Sequence, residues 1–411
     1  RDSVFRAQCK ISVVKSIVCQ IGFYVNTYVP LILDIFMDLD MEVEHQNNAS
    51  ARPAKQFGLS SSIQTNFGSS YVFHIATKND FSEMAVSLST NEVKLYSPHT
   101  GQFLSDCKGH VDTIHEIGFC VPSMPHLFHS CSSDGTIRAW DSRTYHQVSC
   151  SHAGSNQEIF SFSFGGSSDN ILAAGSKSQI FFWDWRTNKL VGSLLDSHVD
   201  DVTQVRFIPG HSSRLLSASV DGLMCIFNTG GDMNEEENLD SVMNVGTSIG
   251  KVGFYGESNE KLWCLSHIES LSIWDWEDAR IESDVQEARA LASKRWTMEP
   301  VDYFVECYSE ESSGELWVVG GTNGGAIGYF PVSCNGEIGS PSAVLVGGHS
   351  GVVRSTVAMR MGGIFGWSGG EDGRLCCWSN DDRSDSKRAW ISSSLVVRPP
   401  KSVKKSRLHP Y

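Results

Sequence analysis

Three stretches of the chain place histidine, serine and aspartate in a recurring order: His110, Ser130 and Asp134; His198, Ser217 and Asp221; His349, Ser368 and Asp372. These are the side-chain types of a nucleophile, its general base and the carboxylate that orients the base. Gly366-Trp-Ser368-Gly-Gly370 also satisfies the G-x-S-x-G pattern of a hydrolase nucleophile elbow. That elbow needs a strand-to-helix turn with its aspartate and histidine further along the chain. Here Ser368 lies in a strand four residues before a hairpin aspartate, and the histidine that follows, His409, sits in a polar tail. Gly320-Gly-Thr-Asn-Gly-Gly325 lacks the Lys-Ser/Thr of a phosphate-binding loop and precedes a strand, so it reads as a tight hairpin. The twelve cysteines are scattered with no C-x-x-C pair, which removes the zinc ribbon and the dithiol and points to a reducing compartment. The residues therefore predict no enzyme, no metal and no cofactor.

The elements that would carry these groups repeat. Segments ending in an aromatic recur at Tyr96, Trp140, Trp183, Phe227, Trp274, Tyr329 and Trp378, with intervals of 44, 43, 44, 47, 55 and 49 residues. Apolar residues sit one and three positions before most of these aromatics, as Val93/Leu95 and Ile180/Phe182 illustrate. That alternation is the period of a strand, not of a helix. Asp134-Gly135, Asp221-Gly222 and Asp372-Gly373 each lie six residues before their aromatic, where a hairpin needs positive-φ residues. Gly109-His110, Ser151-His152, Ser197-His198 and Gly348-His349 open four of the units, 29 to 31 residues before the aromatic.

With its Gly-His opening, Asp-Gly turn and Trp140-Asp141 and Trp183-Asp184 closings, the sequence resembles the WD-repeat family. The order of features from Asp302 to Gly373 looks like plant members of the WD repeat-containing protein 89 group. The resemblance covers about residues 57–411 and implies an all-β, seven-bladed propeller over 67–397. It further implies that His110, Ser130, Asp134 and Trp140, and likewise His349, Ser368, Asp372 and Trp378, form buried hydrogen-bonded quartets. In the fourth unit His198, Ser217 and Asp221 end at Phe227, which has no indole N–H; the third offers His152 and Trp183 with Lys177 in the aspartate position.

Trp140-Asp141-Ser-Arg143 and Trp183-Asp184-Trp-Arg186 close adjacent units. They look like the paired boxes with which WD-repeat substrate receptors dock on the adaptor of cullin-4 ubiquitin ligases. The plainer reading is an arginine that pairs with its own aspartate. Between the fifth and sixth units, Ile281, Val285, Ala288, Leu291, Ala292 and Trp296 follow a helical spacing, which predicts a helix over 278–296. The acidic stretch 230–240 reads as a solvated connector.

The ends differ from the body. Residues 1–40 contain an apolar run broken by Lys15, Pro30 and Asp34, poorly suited to span a membrane. They read as an untranslated-leader extension or an unstructured stretch outside the folded body, the alternatives being a membrane anchor or a signal. Residues 41–66 read as a flexible arm, with a ring-closing strand near Phe57–Ile63; residues 388–397 are the competing closer. The tail 398–411 carries Arg398, Lys401, Lys404, Lys405 and Arg407 and no acid. Because the net charge is −14 and residues 1–40 balance, the five tail cations leave −19 on residues 41–397. A body that acidic repels a phosphate backbone, so nucleic-acid contact is confined to the tail. The expectation is a non-catalytic scaffold for other proteins, nuclear and/or cytoplasmic, without a small-molecule substrate or a membrane. A cullin-4 receptor and a nuclear ribonucleoprotein or chromatin assembly factor are the finer alternatives.

Overall fold

Short alternating segments separated by tight turns fold into antiparallel meanders, in which each strand packs one or both faces against a neighbouring sheet. The computed structural model describes residues 54–66, 70–119, 124–154, 156–166, 170–195, 197–231, 238–309, 314–361 and 364–379. Of the expectations above, leader 1–40, tail 398–411 and the alternative closer 388–397 lie outside these residues, as does part of the acidic connector.

Five sheets have four strands in chain order. The first holds β2 (Val72–Thr77), β3 (Met84–Leu88), β4 (Glu92–Tyr96) and β5 (Phe103–Lys108); the second β6 (Ile114–Gly118), β7 (Leu127–Ser132), β8 (Thr136–Asp141) and β9 (His146–His152). The third holds β10 (Ser161–Gly165), β11 (Ile171–Gly175), β12 (Ile180–Asp184) and β13 (Lys189–Leu194). The fourth holds β14 (Gln204–Ile208), β15 (His211–Ala218), β16 (Leu223–Asn228) and β17 (Leu239–Asn244). The fifth holds β18 (Ile249–Tyr255), β19 (Lys261–Ser266), β20 (Leu271–Asp275) and β21 (Arg280–Val285).

The last two blades are joined. β22 (Tyr303–Ser309), β23 (Leu316–Gly321), β24 (Ile327–Val332) and β25 (Ala343–Leu345) make the sixth; β26 (Val353–Met361), β27 (Ile364–Gly370) and β28 (Arg374–Ser379) make three strands of the seventh. The early strand β1 (Lys55–Gln64) supplies the fourth, running antiparallel to β28 from Gly58 to Gln64. Its first three residues, Lys55 to Phe57, pair in parallel with β25, so one eight-stranded sheet spans both blades.

Ring closure follows from the contacts. Each first strand touches the next, β2 to β6 to β10 to β14 to β18 to β22 to β26, and β26 returns to β2. The apolar core divides accordingly into seven clusters, one per seam. Leu95 and Val93 meet Phe128 and Trp140 between the first and second blades, and Val72 and Met84 meet Trp367 and Leu375 between the first and seventh. The architecture is a seven-bladed β-propeller, closed by the pairing of β1 with β28 and the contact of β26 with β2.

Two expectations need correction. The helix α1 covers only Ala288–Arg295, because Arg280 to Val285 pair with β20 as the outer strand of the fifth blade. Ile281 and Val285 fit helical spacing, yet the hairpin backbone bonds available beside β20 outweigh a weak periodicity. The arm read over 41–66 is strand from Lys55 to Gln64: the ring-closing strand expected near Phe57–Ile63 is where β1 pairs with β28, and the parallel pairing of Lys55 to Phe57 with β25 is the part not expected.

Candidate functional site

In the second blade, the loop from β5 to β6 brings His110 over the β7–β8 turn. His110 Nδ1 lies 2.9 Å from Asp134 Oδ2 and Nε2 lies 2.7 Å from Ser130 Oγ, while Trp140 Nε1 donates to the same Oγ at 2.8 Å. Asp134 also accepts from the Val111 N–H at 3.1 Å and the Thr136 hydroxyl at 2.6 Å. Burial works against its charge, but the hydrogen bonds from His110 and Thr136 win and hold the carboxyl well below the usual range. Gly135, at φ 73°, makes the turn that aims Asp134 at the histidine.

The same arrangement recurs. In the seventh blade His349 Nδ1 is 3.0 Å from Asp372 Oδ1, Nε2 is 2.7 Å from Ser368 Oγ, and Trp378 Nε1 donates to that Oγ at 2.7 Å. Burial pulls the His349 pKa down, but hydrogen bonds to Asp372 and Cys376 prevail and push it up to about 9. In the fourth blade His198 reaches Asp221 at 3.0 Å and Ser217 at 2.7 Å. There Ser217 turns to the Cys225 carbonyl at 3.5 Å, since Phe227 offers no N–H.

These groups have the connectivity of a catalytic triad without its access. Ser130, Ser217 and Ser368 are fully buried, and in two of the three a tryptophan N–H occupies the oxygen that would attack. A nucleophile needs room for a carbonyl carbon beside its oxygen. Ser368, the centre of the G-x-S-x-G match, therefore works as a packing hydrogen-bond junction. Among the described residues no group of three or more His, Cys, Asp or Glu is placed to hold a metal ion, and the nine described cysteines form no disulfide.

The third blade departs from expectation. His152 ends the outer strand β9 of the second blade, exposed, with Nε2 beside Cys150 Sγ at 3.4 Å. Gly109-His-Val-Asp-Thr-Ile114 lines up instead with Gly154-Ser-Asn-Gln-Glu-Ile159, where Ile114 and Ile159 are both buried core residues. The histidine position thus falls on Ser155, outside the described residues. Lys177, in the aspartate position, forms an ion pair with Glu158 at 2.7 Å.

Sequence reasoning also missed the polar side chains of the first strands. Arg206 on β14 reaches Glu116 on β6 at 2.9 Å, Lys251 on β18 donates to the Val305 carbonyl at 2.7 Å, and Thr356 on β26 donates to Glu306 on β22 at 2.7 Å. The signal was a charged or polar residue at an alternate position in several first strands.

On the side of the ring opposite the Asp-Gly turns, the third-to-fourth-strand turns of the second and third blades carry the Trp-Asp-x-Arg boxes. The Arg143 N–H donates to Asp141 Oδ1 at 2.8 Å and the Arg186 N–H to Asp184 Oδ1 at 3.0 Å, so both turns are built alike. Their side chains differ. Arg143 forks onto Asp141 at 3.0 and 2.7 Å while its side chain stays 65% exposed. Arg186 is exposed, with no side-chain hydrogen bond or ion pair to the described residues.

The WD domain, G-beta repeat model matches residues 101–141, which covers the unit with the complete second-blade quartet. The chain is 54% identical over 391 residues to WD repeat-containing protein GTS1 of Arabidopsis thaliana, covering 92% of this chain and 100% of that protein. It is 31% identical over 300 residues to the WD repeat-containing protein 89 homolog of Dictyostelium discoideum, covering 72% of this chain and 80% of that one. Repeat period, quartets, ring closure and these relatives agree: the chain belongs to the WD-repeat proteins.

Proposed function

We propose that this protein is a non-catalytic scaffold that docks on an adaptor subunit through the paired arginine turns of its second and third blades. Membership of the WD-repeat family supports a role in protein–protein interaction in general. A rigid ring held by seven separate seams presents its loops in fixed relation, which suits recognition more than conformational work. The observation that carries the finer reading is the like build of the two turns, in each of which the aspartate accepts from the arginine's own N–H and the arginine side chain reaches solvent, Arg143 while also forked onto Asp141. Arginine forks meet carboxylates and carbonyls well and are frequent hot spots at protein interfaces. The boxes resemble those of cullin-4 substrate receptors, and that adaptor is the partner to try.

The experiment is a pull-down of the tagged full chain with the purified adaptor. Wild type recovers adaptor, and Arg143→Ala/Arg186→Ala recovers less by about tenfold or more, as loss of two hot-spot arginines implies. Equal recovery by both chains, or none by either, removes the docking role.

A further inference from the structure

Among the described residues, Val111 and Val199 are the most exposed large apolar side chains, at 80% and 68%. They occupy one structural position in two blades, directly after the buried His110 and His198. Their backbone N–H groups donate to Asp134 and Asp221 at 3.1 Å each, which pins both loops and keeps the valines outward. A lone exposed valine is ordinary; here two stand at a matched position on the same side of the ring, in the second and fourth blades, with the third-blade loop between them.

The charge around them selects the occupant. Asp112 follows Val111, Asp200 and Asp201 follow Val199, and Glu158 lies in the loop of the blade between. The cation of these loops and turns is Lys177, already paired with Glu158. Burial first, then repulsion from Asp200 and Glu158, raises the Asp201 carboxyl against partial relief from Lys177, and the four carboxylates of these loops outnumber that one lysine. Such a surface fits a segment in which lysines or arginines alternate with apolar residues.

The chain carries one: Lys401-Ser-Val403-Lys404-Lys405-Ser-Arg407-Leu408. From the end of β28 at Ser379 to Lys401, an extended chain spans about 70 Å. A domain of this size has a radius of gyration of roughly 20 Å, so the segment reaches any loop of the ring. We propose that the loops bearing Val111 and Val199 are the docking surface for the chain's own C-terminal segment. The basic residues of the segment answer Asp112, Asp200 and Asp201, and its apolar residues answer the exposed valines. A partner that uses this side of the ring then has to displace the tail.

The test uses a fluorescein-labelled synthetic peptide of residues 396–411, titrated by anisotropy into the native full chain and into a full chain carrying Lys404→Glu/Lys405→Glu. A tethered competitor acts at high effective concentration, so the native chain binds the free peptide about tenfold more weakly than the tail-reversed chain. In the tail-reversed background, Glu158→Gln/Asp200→Asn/Asp201→Asn and, separately, Val111→Ser/Val199→Ser each weaken binding, with unchanged far-ultraviolet circular dichroism. No peptide binding, or binding that ignores the surface substitutions, overturns the proposal. Equal affinity for native and tail-reversed chains also overturns it, and assigns the surface to a basic segment of another protein.

Discussion

The indole N–H groups of Trp378 and Trp296 separate what a hydrogen bond contributes from what packing contributes. Both rings are buried, but Trp378 Nε1 donates to Ser368 at 2.7 Å, whereas Trp296 Nε1 has no partner among the described residues. Replacing either by phenylalanine removes a similar volume. Trp378→Phe also breaks the quartet, while Trp296→Phe relieves an unpaired donor. Urea unfolding is therefore expected to show Trp378→Phe less stable than Trp296→Phe by about 2 kcal/mol; equal midpoints would mean that the quartet adds nothing beyond packing. The His349–Asp372 pair adds a pH signature. Raised to about 9, His349 keeps in the folded state a proton that the unfolded chain loses above about 6.5, so its stabilisation is complete below that pH. It fades as pH rises through about 9. Asp372, lowered despite burial by its bond to His349, contributes above the ordinary carboxylate range and loses that contribution as pH falls. The difference in melting temperature between wild type and His349→Gln should thus shrink between pH 7 and 10; a constant difference would argue against a charged His349.

At the level of elements, β1 does more than fill the seventh blade. Phe57 is buried, stacked on Phe365 with ring centroids 4.0 Å apart, within the cluster that holds Tyr329, Leu345, Cys376 and Trp378. One side chain therefore couples the sixth and seventh blades. Phe57→Ala is expected to cost about 3 kcal/mol and to raise hydrogen exchange in β25 and β28 together, leaving β6 to β9 unchanged. Exchange confined to one of the two strands would show that the parallel pairing is incidental. The propeller and two complete quartets were legible because their signals are local: Asp-Gly turns, alternation, and a histidine at a steady interval before an aromatic. What escaped was non-local. A closing strand near Phe57–Ile63 was legible, but nothing near Lys55 announces the parallel pairing of Lys55 to Phe57 with β25 of the sixth blade, and the spacing from Ile281 to Trp296 cannot separate a strand followed by a helix from a helix alone. A Ser-His dipeptide at the matching interval points to His152 as the third-blade marker, whereas His152 ends β9 and the buried Ile159 aligns the loop.

For the whole molecule, closure makes the seam between first and seventh blades as demanding as any other, although its two sides lie at opposite ends of the described chain. At that seam a Cβ on Gly369 would stand 2.3 Å from Val72 Cγ1 and 2.9 Å from its Cβ. At the seam of the third and fourth blades, a Cβ on Gly165 would overlap the Phe207 ring at 2.3 Å. Glycine here is a spacing device that lets neighbouring strands approach. If the ring unfolds as one unit, prising open a single seam weakens all the others. Gly369→Ala should lower stability by about 1–3 kcal/mol, the usual cost of overpacking, within a single sharp transition. Gly231→Ala, where nothing lies within 4 Å and φ is ordinary, is the matched control and should be neutral. A broad or two-step transition in Gly369→Ala would mean that blades unfold in independent groups, as in an open repeat array whose stability is a sum over neighbours. The closed geometry argues otherwise, because losing one seam leaves first-strand backbone and two apolar faces without their covering neighbour.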